Sequence, residues 1–331
     1  MRILIASDAW SPQINGVVVT LRNTIRELQR AGHDVGVISP DQFRTVACPT
    51  YPEIRLALSP GRRVADAIAA FDPGAVHIAT EGPLGLAARR ACLASGRSFT
   101  TAYHTQFPEY VHARSHLPVG ITYAWLRRFH APAAAVMVGT PTIGRRLHAR
   151  GFRNLVRWSR GVDTEVFHPA PHEALGLPRP VFLYVGRVAV EKNVEAFLAL
   201  DLPGSKWVVG DGPARAALQR RFPLASFFGT KTGAELAWHY QQADVLVFPS
   251  RTDTFGLVLI EAIACGTPVA AFPVTGPIDV VGDGETGALD TDLLTAALRA
   301  LTLDRATVAR HGAAFSWRAA TEQFVANLRA N

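Results

Sequence analysis

At 331 residues, 48% hydrophobic and 18% charged, the chain is globular and long enough for two domains, which excludes a collagenous, coiled-coil or disordered protein. Its three cysteines, Cys48, Cys92 and Cys265, lie far apart with no C-x-x-C pair; that excludes a disulfide framework or zinc ribbon and fits a reduced, cytosolic setting. The formal net charge of +7 gathers in residues 1–170, where 20 Arg face 11 Asp and Glu, an asymmetry that suits an anionic partner.

The opening MRILIASDAW is too short an apolar run for a signal peptide and predicts a buried strand over 2–7. VVVTLRNTIRELQRAG (17–32) follows with helical periodicity and Gly32 as its C-cap. Further strands are predicted at 34–39, 75–80, 98–104 and 135–140. They are rich in Val, Ile, Ala and Thr without polar alternation, as parallel strands buried on both faces are. Residues 164–180 hold four Pro and no periodicity and predict a linker. The same grammar restarts with strands at 181–187, 205–210, 224–229, 244–250 and 268–272. The expected organisation is an α/β chain of two doubly wound domains, 1–165 and 181–315, with a linker at 166–180. Residues 316–331 are expected as a helix packing back on the first domain. The longest apolar stretch, FGLVLIEAIACGTPVAAF (255–272), carries Glu261 and breaks at Gly266 and Pro268. It falls short of the roughly 20 residues a membrane span needs.

Three motifs sit at strand carboxyl ends, where such sheets bind ligands. In DAWSPQINGVVVTL, Gly16 would let backbone N–H groups at a helix N-terminus approach an anion, although a strand-to-helix turn needs a Gly in any case. In VGRVAVEKN (185–193), Arg187 leaves a strand and Lys192 enters a helix, a spacing that suits a diphosphate; a solvated pair with Glu191 as partner is the plain alternative. In FPSRTDTFGLVLIEAIACGTPVAA (248–271), Asp253 lies in a turn, Gly256 starts a helix and Glu261 sits inside it. A carboxylate so placed in an apolar helix needs a partner. Either the pair addresses ligand hydroxyls, or Glu261 belongs to a structural ion pair. Asp290 and Asp292 precede a helix and fit an N-cap better than a metal site. The scattered His residues have no metal-ligand spacing.

These pieces resemble glycosyltransferases of family 4, with the two-domain GT-B fold facing across a cleft. The likeness runs through PQINGV, AYHTQFPEY (102–110), SRGVDTEVFHP (159–169), VGRVAVEKN, VGDGP (209–213), ELAWHYQQADVLVFPS (235–250), TDTFGLVLIEAIACGTPV, TGPIDVVGDGETG (275–287) and FSW (315–317), in the family's order. HTQFPEY is most similar to the glycolipid-forming branch of diacylglycerol glycosyltransferases, sulfoquinovosyltransferases and GDP-mannose-dependent alpha-mannosyltransferases. The resemblance implies a retaining hexosyltransferase using a nucleotide diphosphate sugar, UDP-glucose or UDP-glucuronate before GDP-mannose, on a lipid acceptor such as diacylglycerol. It implies that Gly16, Arg187 and Lys192 approach the diphosphate, and that Gly256 and Leu257 offer it backbone, with Thr254 and Phe255 in the same donor loop. Asp253 would contact the sugar, Glu261 the ribose, and His104 the reacting centre. Asp253 stands where the family usually has Glu, which bears on donor choice. No cofactor or metal is implied. The alternative of another class is a non-catalytic nucleotide-sugar or polyanion binder; nucleic acid has no supporting motif.

ARSHLPVGITYAWLRRFH (113–130) sets Tyr123, Trp125 and Phe129 beside Arg127 and Arg128, with further cations at Arg145, Arg146, Arg150, Arg153, Arg157 and Arg160. One helix of that composition suits an anionic headgroup surface on the inner face of the cytoplasmic membrane. The plain alternatives are a half-buried helix and the Arg usage of a GC-rich genome, since 31 of the 34 basic residues are Arg.

Overall fold

The computed structural model describes residues 1–13, 15–48 and 51–330; Ile14 of the PQINGV segment and the side chains at 113 and 114 of the 113–130 stretch lie outside the described residues. The chain divides into two units, 1–160 with 317–331, and 161–316.

The first unit runs β1 (Arg2–Ala6), α1 (Gly16–Arg30), β2 (Asp34–Ile38), β3 (Thr45–Cys48), β4 (Tyr51–Ala57), α2 (Gly61–Phe71), β5 (Ala75–Ile78) and α3 (Pro83–Ser95). It continues with β6 (Thr100–Tyr103), α4 (Phe107–Ser115), α5 (Val119–His130), β7 (Ala135–Val138), α6 (Pro141–Ala149) and β8 (Leu155–Arg157). Among the described residues its parallel sheet has the order β2-β1-β5-β6-β7-β8, with β3 and β4 as a separate antiparallel pair. The pleat sends alternate residues of β1 to opposite faces. Ile3 and Ile5 pack with Leu21 and Leu28 of α1, and Leu4 and Ala6 with Val64 and Ile68 of α2 and Leu84 of α3. Covering both faces is what leaves β1 apolar from Ile3 to Ala6.

The second unit runs β9 (Val181–Val185), α7 (Val194–Leu198), β10 (Ser205–Val209), α8 (Arg215–Arg221), β11 (Ser226–Gly229), α9 (Gly233–Gln242) and β12 (Val245–Phe248). Then come α10 (Leu257–Ala264), β13 (Val269–Ala271), α11 (Pro277–Val280), β14 (Gly287–Leu289), α12 (Leu293–Ala300) and α13 (Arg305–Gly312). Its sheet order is β11-β10-β9-β12-β13-β14, all parallel. Leu183 packs on one face with Tyr240, Ile260 and Val308, and Phe182 on the other with Phe197 and Ala297.

Three expectations need correction. Residues 166–180 are not a free linker but part of the second unit. Phe167, Leu175 and Leu177 pack on its core, and Glu173 N donates to Gln242 Oε1 at 2.7 Å. Not among them is α14 (Trp317–Asn327), which belongs to the first unit, where Phe324 meets Trp158 and His77. Ala31 is the C-cap of α1, and Gly32 supplies the left-handed residue after it at φ 80°. The stretch 113–130 is two helices, broken where His116 turns left-handed at φ 57° and Pro118 follows. Among the described residues no helix is long and apolar enough to cross a membrane.

A buried carboxylate ties the first sheet to α3. Asp8 follows β1 and is 5% exposed. It accepts from Thr80 Oγ1 at 2.8 Å, Leu84 N at 2.8 Å and Gly85 N at 3.2 Å, capping α3 from a distant strand. Burial pushes its carboxyl up against the pull of these bonds. Asp8→Ala would strand two buried N–H donors, each costing about 1–3 kcal/mol, and a half-buried hydroxyl. Urea denaturation should show a loss of at least about 2 kcal/mol, and a smaller one for Asp8→Asn, which keeps an acceptor.

Candidate active site

In the second unit the chain leaves β9 toward β10 and β11 on one side, and β12 toward β13 and β14 on the other, while β9 and β12 are neighbours. Such a reversal makes the loops at two adjacent carboxyl ends diverge and opens a crevice. Sheet order thereby brings residues 186–193 beside 249–256.

Side chains tie the two loops together. Asn193 Nδ2 donates to the Pro249 carbonyl at 3.2 Å and Thr252 Oγ1 to the Glu191 carbonyl at 3.4 Å. Lys192 Nζ meets Asp253 Oδ1 at 2.5 Å, both side chains being about one-fifth exposed. Lys192 lies in a 3-10 turn ahead of α7 rather than in the helix as expected, because Asn193 turns left-handed at φ 54° between them. Arg187, two residues beyond β9, is half-buried.

The VGDGP segment braces the Arg187 loop. A Cβ at Gly210 or Gly212 would run into the carbonyls of Gly186 and Val188. Val188 N donates to the Asp211 carbonyl and Ala214 N to that of Val188, at 2.9 and 3.0 Å.

α10 starts after Gly256, which holds φ 85° and has no side chain to cap the first N–H groups. An uncapped N-terminus with its partial positive charge suits a phosphate. Thr254 and Leu257 are half-buried, and Phe255 is 4% exposed within the unit's core. Phe255 therefore cannot present its ring to a ligand; backbone is what it has to offer. Gly276 backs this turn, since a Cβ there would come within 3.1 Å of the Asp253 carbonyl.

Glu261 sits one turn into α10. Tyr240 of α9, itself fully buried, donates its hydroxyl to Glu261 Oε2 at 2.9 Å. Burial pushes the Glu261 carboxyl up to about 7, with the Tyr240 bond pulling down. Burial and then the Glu261 charge hold the Tyr240 phenol well above its ordinary value. Asp292 caps α12 through Leu294 N and Thr295 N, and Asp290 Oδ1 accepts from Asp292 N. That pair is engaged in the helix start.

In the first unit His104 follows β6 and Arg160 lies three residues beyond β8. Arg160 Nη2 reaches His104 Nδ1 at 3.2 Å. Arg160 is 5% exposed, so its expected place on a basic surface is wrong: burial and then the Arg157 charge pull its guanidinium down to about 9. Burial, Arg160 and His77 together hold the His104 imidazolium well below its ordinary range. At the turn before α1, Asn15 Oδ1 accepts from Val17 N and Val18 N, both at 3.0 Å. Two of the N–H groups that the Gly16 expectation assigned to an anion thus already have a partner.

The aromatic stretch also divides differently from expectation. Tyr123 and Phe129 are buried: Tyr123 donates to Glu109 Oε1 at 2.7 Å and Phe129 lies in the core with α3. A helix of α5's period cannot show both its core side and Trp125 to solvent. Exposed instead are Trp125, Ile121, Leu117 and Phe107, with the Phe107 and Trp125 rings 6.5 Å apart. Arg127 and Arg128 are exposed, whereas Arg146 engages Gln106 and Glu109 and Arg150 lies over Tyr123.

Sequence reasoning missed Tyr240 and Arg160 as site residues. Their partners lie 21 and 56 positions away, beyond any local spacing. The one signal was negative: Glu261 in an apolar helix needed a donor.

Comparisons with known proteins bear on the family and the fold. The model of Glycosyltransferase Family 4 matches residues 14–166, and that of Glycosyl transferases group 1 matches 179–304. A GDP-mannose-dependent alpha-mannosyltransferase of Mycobacterium tuberculosis is 31% identical over 87% of this chain and 83% of its own. The sulfoquinovosyl transferase SQD2 of Arabidopsis thaliana is 31% identical over 93% and 69%. Among solved structures, the sucrose-phosphate synthase of Thermosynechococcus elongatus superposes with a TM-score of 0.77 at 23% identity, covering 98% of this chain and 97% of that one. On matched models, relatives matched over most of their length and two Rossmann-like sheets of the GT-B fold, the chain belongs to glycosyltransferase family 4 and is a hexosyltransferase.

Proposed function

We propose that the protein transfers a hexose, with retention of configuration, from a nucleoside diphosphate sugar to a lipid acceptor. The observation that carries this reading is the β9/β12 crevice. There Lys192 meets Asp253 beside a helix start with no side-chain cap, on loops held by hydrogen bonds, with Arg187 two residues beyond β9 and Glu261 one turn into α10. Arg187, Lys192 and the N–H groups of Gly256 and Leu257 suit the diphosphate, Asp253 and Glu261 the sugar and ribose hydroxyls. The bond from the anomeric carbon to the leaving phosphate breaks while that to the acceptor oxygen forms on the same face, and the phosphate takes the acceptor's proton. Preorganised cations facing the leaving group lower the barrier without a protein nucleophile.

GDP-mannose takes first place among donors, ahead of UDP-glucose and UDP-glucuronate, on the name of the mycobacterial relative. A panel of radiolabelled GDP- and UDP-hexoses on diacylglycerol and on soluble sugars tests donor and acceptor together. Label in the organic phase from one donor supports the reading, and transfer to soluble sugars alone removes the lipid. Lys192 and Arg187 replace a metal in this scheme, and Asp290/Asp292 is occupied as a helix cap. Turnover in EDTA is therefore expected to match that without it; loss restored by magnesium or manganese would refute the scheme.

The acceptor side rests on charge and the α4–α5 surface. The first unit carries 22 Arg against 10 Asp and Glu, net +12. An open depression of about 620 Å³ is lined by Trp125, Arg127, Arg128 and Arg153 beside the exposed apolar residues. Each cation near an anionic leaflet contributes about 1 kcal/mol. Trp125→Ser should weaken binding to phosphatidylserine-containing vesicles in sedimentation assays without shifting the melting curve, and binding should fall as salt rises. Salt-insensitive binding, or none, points to a soluble acceptor.

A further inference from the structure

The guanidinium behind His104 is held on every side. Arg160 Nη1 donates to the carbonyls of Trp158 at 2.7 Å and Ser159 at 2.9 Å, and its plane lies over the Trp158 ring, 4.5 Å from the centroid. Trp158 is fully buried and wedged between Phe324 and His77, at 4.9 and 5.7 Å between ring centres. α14 closes the arrangement, for Gln323 Oε1 accepts from Ser159 N at 2.9 Å. His104 meets the same Trp158 ring edge-on at 5.5 Å and offers Nδ1 to Arg160 Nη2.

A guanidinium has five donors and no acceptor. The nitrogen facing it must therefore contribute a lone pair, and the single proton of a neutral imidazole then sits on the other nitrogen. We propose that Arg160 is a positioning residue that fixes His104 as the neutral tautomer protonated at Nε2, so that His104 acts as a hydrogen-bond donor and not as a base. The part concerning the reaction rests on the proposed transfer and on the role at the reacting centre that the family resemblance implies for His104. The groups facing the ring are Arg160 from the segment after β8, with Arg157 behind it, and His77 from β5. A second ring proton would have to enter at Nδ1, against a fixed cation. An Nε2–H directed at a sugar oxygen stabilises charge there but cannot accept the acceptor's proton, which leaves that proton to the departing phosphate.

Long-range proton–nitrogen correlation spectra of the histidine-labelled protein read the tautomer directly, with the His104 signal assigned by His104→Gln. The expected result is a protonated Nε2, a bare Nδ1 and no titration between pH 5.5 and 8. Arg160→Met should give a tautomer mixture, and Arg160→Lys, which keeps a donor, should restore the single form. Turnover should fall about 10- to 100-fold in Arg160→Met, the scale of groups that orient a functional histidine, with donor KM little changed and partial recovery in Arg160→Lys. If Arg160→Met does not fold, Arg160→Gln takes its place, checked by a melting curve. A proton on Nδ1, titration of His104 within that window, or an unchanged tautomer in Arg160→Met overturns the proposal. The expected tautomers together with normal turnover in His104→Ala would uphold the clamp and remove His104 from the proposed reaction.

Discussion

Arg187→Ala is expected to lower kcat/KM by about 10²–10³-fold while leaving the melting curve in place. One preorganised donor to a developing anion is worth about 2.7–4 kcal/mol, and a guanidinium facing a diphosphate is at least such a donor. The fold should not notice, because backbone bonds of Val188 and Ala214 hold the loop. Lys192→Ala should do as much damage or more. Its ammonium also pairs with Asp253 at 2.5 Å, so its loss removes that pairing as well as a cation from the proposed diphosphate site. Steady-state kinetics with thermal melts of both variants decide the matter. Turnover within about threefold of wild type in either, below 1 kcal/mol at 1.4 kcal/mol per tenfold, would remove that residue from the diphosphate.

Glu261→Gln should make the protein more stable and less active. Burial raises this carboxyl from 4.5 to about 7, so the folded protein binds the proton more tightly than the unfolded chain. The penalty is absent below pH 4.5, grows as the pH rises through that value, and is complete above about pH 7. At 1.36 kcal/mol per pKa unit it reaches on the order of 3 kcal/mol. A neutral amide that can still accept from Tyr240 escapes it. Melting at pH 8 should favour the variant and the gap should close by pH 4.5, while donor KM rises. A pH-independent gap, or unchanged donor use, would mean that the carboxylate is neither penalised nor used.

The sequence made the interior strands legible because burial on both faces writes an unbroken apolar run, as in β7, β9 and β12. It hid β8 and β14, where three residues carry too little pattern, and the β3–β4 hairpin, whose exposed Val46 interrupts no polar alternation. The supposed linker was misread for a related reason. Aperiodic, Pro-rich chain can still lie on a core through isolated side chains such as Phe167 and Leu177. At the site, Arg187, Lys192, Asp253 and Glu261 could be read because each stands in a local strand-to-helix motif. Arg160 and Tyr240 could not, since what defines them is a partner brought close only by sheet order and helix packing.

The central claim is that the β9/β12 crevice grips a diphosphate. Calorimetric titration with GDP, UDP and the corresponding monophosphates tests it most directly. The account predicts that the preferred diphosphate binds at least about tenfold more tightly than its monophosphate, a difference of 1.4 kcal/mol, and that Arg187→Ala and Lys192→Ala narrow the gap. Equal binding of mono- and diphosphates, or a gap that persists in both variants, would contradict it.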